Sequence, residues 1–505
     1  MKRLCIETLR EVKPSEADAF SRYPVRVLQV GSGNFLRAFA GWMVDRMNRQ
    51  GVFGGRIAVT QATPSSRTAE AINEQDGWYT VLSRGLVGGQ PAEQVDLVGS
   101  VSRALNPYTQ WCDLLALAAN PHLRFVVSNT TEAGIAYSPA PRPTDQCPPK
   151  YPAQLAALLY ERYRRSRGDP GAGLVMLPCE LIERNGHTLK RIVMQHAADW
   201  HLDKGFTDWL NTACRFANTL VDRIVPGLPA DEIDALRERL GYDDRLLVAA
   251  EWYHSWVIEG DADLAREWPL AEAGLNVTWT DDLTPFRTRK VRLLNGAHTL
   301  MAAPALLAGL DTVRQCVEDP LVGQLVRHAL FEEIVPALDL PPAEATAFAQ
   351  EVLTRFRNPY IAHRLTSIAL NGISKWRVRV LPSLEAHLAW RRRLPEVLTF
   401  SLAALVALYR GAVAADGVLV GRSAGRAYGV RDEADVLNFL ARAWSDYDHV
   451  HDLGGLCRSL LGSERLWGRD LNELPGLTER VTGHLDTILQ AGMVPAIQQV
   501  LKTDG

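Results

Sequence analysis

An apolar run that ends in a glycine-rich turn is the feature that most constrains the fold of this chain. The run VRVLQV leads directly into Gly31-Ser32-Gly33, and a helix is predicted from about Phe35. Glycines allow a tight turn and a close backbone approach to a ligand, and the N–H groups at a helix start attract phosphate. This context predicts a dinucleotide-binding unit, although Leu36 stands where the usual fingerprint has its third glycine. The expected cofactor contacts are Gly31, Ser32, Gly33, Asn34 and Phe35.

Short β-branched runs alternate with helical sequence between residues 25 and 277, which predicts a doubly wound parallel sheet. The runs are VRVLQV, RIAVTQA, VDLVGSV, LRFVVSN and GLVMLPC. From about Pro285 onward the β signal fades, and long amphipathic segments rich in Ala, Leu and Arg follow. We therefore predict an α/β Rossmann-type N-terminal domain over residues 1–282 and a mostly α-helical C-terminal domain over residues 283–505, separated by a polar turn at residues 278–282.

The composition argues against several classes of partner. A chain of 505 residues with a formal charge of -3 offers no electrostatic basis for binding nucleic acid or a membrane surface. The N-terminus lacks the apolar core of a signal peptide, and the longest apolar run is too short to span a bilayer. We expect a cytoplasmic protein with a small-molecule substrate.

No metal site is expected. The seven cysteines have no paired spacing, and no HExxH is present. The densest group of metal-binding residue types comprises Asp446, Asp448, His449, His451 and Asp452. Because these residues alternate rather than follow helical i, i+4 spacing, a solvated loop is the favoured interpretation.

A second candidate site lies about 260 residues after the glycine turn. Lys290, Asn295 and His298 fall within nine positions of one predicted helix. At 100° per residue, Asn295 lies roughly 140° and His298 roughly 80° round the axis from Lys290, so all three could line one side of a cleft. A lysine there could exchange a proton with a substrate oxygen that the other two hydrogen-bond. The alternative is a solvated lysine, a helix asparagine and a core histidine.

With both sites considered, the chain resembles the mannitol dehydrogenase family of polyol-specific long-chain dehydrogenases. The resemblance is carried, in order, by GSGNFLRAF, SNTTEAGI, PCELIERNG, NTLVDRIVPG, KVRLLNGAHT and RFRNPYIAHRLTSIALNGISKWR. Within that family the chain is most similar to the members that reduce tagaturonate to altronate. The resemblance implies a metal-independent oxidoreductase with a nicotinamide coenzyme and a keto sugar acid as its substrate.

The resemblance also implies roles for individual residues. Lys290 falls on the family's acid/base, whereas Asn295 and His298 fall on the groups that bind and orient the substrate oxygen. The segment that runs past the nicotinamide in relatives corresponds here to Thr130, Thr131 and Glu132. NAD is the expected coenzyme. NADP stays open, because RIAVTQAT ends without the acidic residue that usually holds the ribose hydroxyls and is followed by Ser65, Ser66 and Arg67.

Two departures from the family pattern suggest an altered substrate pocket. Leu181 stands where polyol-oxidising members have an oxyanion asparagine, and Ser367 stands where they have a substrate-binding arginine, whereas Lys375 is retained. A sugar acid needs a cation for its carboxylate. The candidates that we expect to bind substrate are Lys375, Arg355 and Arg364.

Other activities remain as alternatives. Fructuronate reduction and a mannitol 2-dehydrogenase-like activity would share the fold and the three catalytic residues. A serine hydrolase is a remote alternative, because Gly421-Arg422-Ser423-Ala424-Gly425 matches the nucleophile-elbow pattern and follows the strand-like Val418-Leu419-Val420.

Overall fold

The computed structural model describes residues 1–130, 134–143, 146–227 and 230–503. It divides into two compact units. The first unit comprises Met1–Gly85 and Ala92–Leu283, and the second comprises Leu86–Pro91 and Thr284–Gly505.

A parallel sheet forms the centre of the first unit. The strands between residues 25 and 280 are β1 Val25–Val30, β2 Arg56–Thr60, β3 Tyr79–Val87, β4 Gln90–Val98, β5 Val101–Leu105, β6 Phe125–Ser128, β7 Val175–Pro178, β8 Arg215–Phe216, β9 Thr219–Asp222, β10 Val248–Glu251, β11 Ser255–Glu259 and β12 Val277–Thr280. The central sheet has the order β5-β2-β1-β6-β7-β8, with every neighbouring pair parallel. Strand order reverses between β1 and β6, which is where open α/β sheets bind their ligands. The predicted Rossmann-type fold is confirmed.

The prediction for VDLVGSV was wrong. This run straddles the end of β4 and the start of β5, and only β5 belongs to the parallel sheet. The β4 residues lie instead beside β3 in a separate sheet of order β10-β3-β4. A further sheet of order β12-β11-β9 was not anticipated.

Helices cover both faces of the central sheet. The helices of the first unit are α1 Ile6–Val12, α2 Pro14–Ala17, α3 Asn34–Leu36, α4 Trp42–Arg49, α5 Thr68–Glu74, α6 Trp111–Ala116, α7 Tyr151–Ser166, α8 Asn185–Asp199, α9 Lys204–Thr212, α10 Ile233–Leu240 and α11 Ala262–Glu267. Successive strand residues point to opposite faces. Val27 and Phe125 therefore pack in one hydrophobic cluster, whereas Leu28 and Val126 pack in another. Burial on both faces explains why these strands read as continuous apolar runs.

The second unit is mostly helical, as predicted. Its helices are α12 Thr284–Arg289, α13 Gly296–Leu307, α14 Val313–Glu318, α15 Pro320–His328, α16 Pro342–Phe356, α17 Leu365–Ala369, α18 Gly372–Arg379, α19 Leu381–Arg391, α20 Glu396–Leu408, α21 Ala434–Val450, α22 Leu453–Leu461, α23 Glu464–Trp467, α24 Leu477–Ala491 and α25 Met493–Thr503. An antiparallel sheet of β13 Gly411–Val413, β14 Leu419–Ser423 and β15 Arg426–Val430 interrupts them.

The core of the second unit is organised around α20. Every residue of this helix after Glu396 is buried, as expected for a helix that is apolar on all sides. The long apolar run noted in the sequence is therefore a core helix. Across the described residues, none of the helices has the length and apolar character needed to cross a membrane.

Candidate functional site

The glycine turn after β1 has two different glycines. Gly31 has a φ of +115°, and a Cβ added there would lie 2.7 Å from the carbonyl oxygen of Asn129, so the fold itself requires glycine. Gly33 has extended backbone, and a Cβ added there would meet nothing within 4 Å among the described residues. The helix then begins at Asn34, close to the predicted start. The turn therefore leaves open space directly before a helix N-terminus.

The helix that follows contains a π turn at Arg37–Gly41 between α3 and α4. Arg37 is buried and donates to the Ser32 carbonyl oxygen at 2.5 Å and to the Asn34 Oδ1 at 2.7 Å. Burial lowers the pKa of Arg37. The arginine ties the first helical turn back to the glycine turn, so Ser32 and Asn34 are held in place from inside the protein. Leu36, at the position of the missing third glycine, is buried in the core.

The carboxyl end of β6 is fixed by a residue that follows β7. Glu180 is 2% exposed, and its carboxylate accepts hydrogen bonds from Ser128 Oγ at 3.0 Å, from the Thr130 amide at 2.9 Å and from Thr130 Oγ1 at 3.0 Å. Burial raises the pKa of Glu180, and these bonds oppose that rise. Both donors of Thr130 thus point at Glu180. Two other predicted cofactor contacts, Thr131 and Glu132, lie outside the described residues.

An open groove lies where β2 and β5 end, with a volume of about 900 Å³. Its lining includes Gln61, Ser65, Ser66, Arg67, Glu70 and Glu74. The Arg67 side chain is 87% exposed and pairs with Glu70 at 3.4 Å. The groove therefore contains the carboxylates of Glu70 and Glu74 as well as the hydroxyl and basic side chains of Ser65, Ser66 and Arg67.

Lys290 and Asn295 are the first and last residues of a π turn, not of a regular α-helix. The prediction of one regular helix was wrong here, so the separation of about 140° that was calculated at 100° per residue does not apply to this turn. A π turn bonds i→i+5 and winds more loosely than an α-helix, and such turns are frequent at functional sites. Both side chains are partly buried. His298 follows three residues later in α13.

His298 is buried and has several basic side chains around it. It is 8% exposed, its ring packs 4.3 Å from the Phe356 ring and 4.9 Å from the His363 ring, and its buried Nε2 has no hydrogen-bond partner among the described residues. Burial lowers the pKa of His298 far below its ordinary value, and His363, Arg355, Arg379 and Lys375 lower it further. The imidazole is therefore neutral, with a nitrogen that is available to a ligand.

The three expected substrate cations differ in exposure. Arg355, near the end of α16, is 8% exposed. Lys375 is half-buried in α18, and its Nζ donates to the Ile368 carbonyl oxygen at 3.1 Å. Burial lowers the pKa of Lys375, and Arg379 lowers it further. Arg364 precedes α17 and is exposed. The charges of Arg355 and Lys375 contribute to the lowered pKa of His298.

Two further residues, one in each unit, had no signal in the sequence. Arg379 lies 3.5 Å from Thr299 Oγ1, and the Thr299 hydroxyl donates to the Asn295 carbonyl oxygen at 2.9 Å. Arg379 therefore supports the helix turn that carries Asn295. Asn185, in the first unit, donates to the carbonyl oxygens of Pro178 and Glu180. Asn185 lies in the family-like block PCELIERNG, whereas Arg379 lies two residues beyond the last of these blocks, and neither spacing nor residue type distinguishes them from surface residues.

The nucleophile-elbow interpretation was wrong. Gly421–Gly425 lies in the β14–β15 hairpin, whereas an elbow needs a strand followed by a helix. Ser423 Oγ donates to the Leu307 carbonyl oxygen at 2.7 Å. The loop expected around Asp446–His449 was also wrong, because these residues lie in α21. No group of three or more His, Cys, Asp or Glu is arranged to hold a metal ion in the ranges that the structure describes.

Comparison with known proteins identifies relatives along nearly the whole chain. The chain is 43% identical to an altronate oxidoreductase of Halalkalibacterium halodurans over 96% of its own length and 95% of the relative's. It is 42% identical to the altronate oxidoreductase of Bacillus subtilis, covering 97% and 98%, and 44% identical to that of Pectobacterium atrosepticum, covering 94% and 97%.

Solved structures of lower identity share the fold. A ternary complex of Pseudomonas fluorescens mannitol 2-dehydrogenase with NAD and D-mannitol matches with a TM-score of 0.70 at 23% identity, covering 96% of this chain and 95% of that one. A substrate-free D-sorbitol dehydrogenase matches with a TM-score of 0.77 at 22% identity, covering 95% and 96%. The mannitol dehydrogenase Rossmann domain matches residues 25–271, and the mannitol dehydrogenase C-terminal domain matches residues 282–489. The chain therefore belongs to the mannitol dehydrogenase family.

Proposed function

We propose that the protein reduces tagaturonate to altronate with NADH as the hydride donor. The observation that carries this proposal is the near-full-length identity of 42 to 44% to relatives named altronate oxidoreductase. In this proposal residues 1–282 bind the dinucleotide, and residues 283–505 supply the catalytic and substrate-binding side chains.

The glycine turn fits a dinucleotide. The space in front of Gly33 would admit a pyrophosphate, and the backbone N–H groups at Asn34 and Phe35 would meet its charge at the start of the helix. Gly31 holds the strand end against Asn129 so that this approach is possible. Thr130 and its two neighbours, Thr131 and Glu132, would border the nicotinamide.

The groove at the ends of β2 and β5 favours NAD over NADP. A 2'-phosphate there would meet the carboxylates of Glu70 and Glu74, and the charge of Arg67 is already opposed by Glu70. The Pseudomonas fluorescens relative, which is bound to NAD in its structure, supports the same choice.

The nicotinamide, when bound, supplies the hydride that reduces the substrate ketone. The residues of the second unit would then manage the oxygen. Asn295 and the neutral His298 would hydrogen-bond the ketone oxygen as it gains charge, because the buried Nε2 of His298 lacks a partner within the described part of the chain. Lys290 would deliver a proton to that oxygen. In altronate oxidation the same lysine would accept the proton.

The carboxylate of the substrate would be met by Lys375 and Arg355. Both are partly or wholly withdrawn from water, and charge-assisted hydrogen bonds are strongest in such surroundings. Arg364 is exposed, so its contribution would be a weaker attraction at the rim.

A direct kinetic comparison tests the proposal. Oxidation of NADH and NADPH is followed at 340 nm with tagaturonate, fructuronate and fructose, and a Lys290→Ala variant serves as the inactive control. We expect the largest kcat/KM for tagaturonate with NADH. A larger kcat/KM for fructuronate or fructose would assign the protein to one of those activities, and no turnover with any of the three would refute the proposal.

A further inference from the structure

Glu180 carries a buried carboxylate that the proposed reaction does not use. It lies directly after β7 and Cys179, at the carboxyl edge of the parallel sheet, and only 2% of its surface is exposed. Burying an ionised carboxylate is costly unless its oxygens are hydrogen-bonded. Here both oxygens are hydrogen-bonded, one to the Ser128 hydroxyl and the other to the Thr130 amide and hydroxyl, at the end of β6.

The end of β6 borders the ligand crevice predicted by the strand order. β1 and β6 are adjacent and parallel, and the order of the sheet reverses between them. Gly31 follows β1, and Asn129 with Thr130 follows β6. The close approach of Gly31 to the Asn129 carbonyl oxygen places the two strand ends side by side.

Thr130 is held on two sides. Its amide and hydroxyl donate to Glu180, at 2.9 Å and 3.0 Å. A Cβ added to Gly134 would lie 2.1 Å from Thr130 Oγ1, so the backbone of Gly134 closes the other side. With both donors taken by Glu180, Thr130 has its carbonyl and methyl groups left for a ligand. Thr130 therefore contributes to ligand binding through the position of its backbone beside the crevice.

We infer that Glu180 is a positioning residue, which fixes the Asn129–Thr130 turn in the conformation that accepts the nicotinamide coenzyme. This inference rests on the proposed binding of that coenzyme in the first unit. The carboxylate does not touch the coenzyme in this assignment. It acts by removing alternative conformations of the turn. When those alternatives are populated, only a fraction of the protein can bind the coenzyme, and the apparent dissociation constant for the coenzyme rises in inverse proportion to that fraction.

The test compares two replacements of Glu180 by NADH binding in the full-length protein, followed by the fluorescence of the bound coenzyme without substrate. Glu180→Ala removes all three acceptor contacts, and a turn that is competent about one tenth of the time would raise the dissociation constant about tenfold. Glu180→Gln keeps Oε1 for both Thr130 donors, and its amide can donate to the Ser128 hydroxyl. We expect Glu180→Gln to bind NADH within about threefold of the wild type.

Glu238→Gln is the matched control, because Glu238 is exposed on α10 in the same unit. Wild-type affinity in a folded Glu180→Ala variant would overturn the inference. An equal loss in Glu180→Gln would also overturn it, because charge rather than placement of the turn would then matter. If Glu180→Ala does not fold, Thr130→Val tests the same clamp, with an expected rise of about threefold or more in the dissociation constant and no change as the contradicting result.

The outcome is separable from that of the proposed function. A wild-type protein that binds NADH but reduces no keto sugar acid would refute the proposed substrate and leave the Glu180 comparison fully interpretable. Steady-state kinetics add a second separation, because a positioning role raises the KM for NADH more than the KM for tagaturonate.

Discussion

Replacing Lys375 by methionine should impair recognition of a carboxylate more than recognition of hydroxyl groups. Methionine keeps most of the apolar stem of lysine and removes the ammonium. The ammonium has three donors, and one of them donates to the Ile368 carbonyl oxygen, so it can hold a substrate carboxylate without giving up that bond.

The size of the effect follows from the exposure of Lys375. Truncating one partner of a desolvated charge pair typically costs about 2 to 5 kcal/mol. Lys375 is only half-buried, so we expect the lower end, about 2 kcal/mol, which corresponds to about a 30-fold rise in the KM for tagaturonate. Arg355, which is almost fully buried, should show a larger loss when it is truncated.

The assay uses two inhibitors that differ in the carboxylate. Inhibition constants are measured for altronate and for altritol, the corresponding neutral polyol, together with the KM for tagaturonate. We expect the altronate constant to rise with the KM and the altritol constant to change less than about threefold. Lys502→Met, an exposed position on α25, should change none of these values. Equal losses for altronate and altritol would refute the reasoning and show that Lys375 holds a hydroxyl group or the fold.

Three further predictions concern the other elements of the site and the stability of the first unit. Lys290→Ala should lower kcat by about 10² to 10⁴ while NADH affinity is kept, and a variant with more than a tenth of wild-type turnover would remove the acid/base role. Gly33→Val should leave the circular dichroism spectrum unchanged, because a Cβ there meets open space, and should raise the NADH dissociation constant sharply; unchanged binding would show that this turn does not hold the pyrophosphate. Burial, with a smaller effect of Arg223, lowers the pKa of His254 to about 4. As the pH falls below about 6.5, this histidine therefore becomes protonated in the unfolded chain but stays neutral in the folded protein. Between about pH 6.5 and 4 the wild type should therefore lose up to about 3 kcal/mol more stability than His254→Gln in urea unfolding, and parallel pH profiles would contradict this.

The parts of the fold that the sequence predicted are those with a local cause. β1, β6 and β7 are buried on both faces, so their apolar runs are visible without knowledge of any partner. VDLVGSV was misassigned because it was taken as one strand, whereas Gly99 and Ser100 divide it between β4, which follows β3 across Gly88 and Gly89, and β5, which lies beside β2. The π turn at Lys290 was not predicted either, since nothing in the local sequence distinguishes it from α-helix.

In the candidate site, too, the features that could be predicted are those with a local signal in the sequence. The glycine turn and the trio of Lys290, Asn295 and His298 were predicted from residue type and spacing, and the resemblance implied their roles. Glu180 escaped notice because its importance depends on the pairing of β6 with β7, which brings it next to Thr130. The relative exposure of Arg355 and Arg364 could not be read from the sequence, in which both are arginines of one basic block.

The central claim is hydride transfer from NADH to the ketone of tagaturonate, and isotope labelling tests it most directly. Tagaturonate is incubated with NADH deuterated at the nicotinamide C4 on the transferring face, each face being tried in turn, and the product is examined by NMR. The account predicts altronate with one deuterium at the former ketone carbon for each NADH oxidised, from one face only. Oxidation of NADH without labelled altronate, or a product other than altronate, would contradict it.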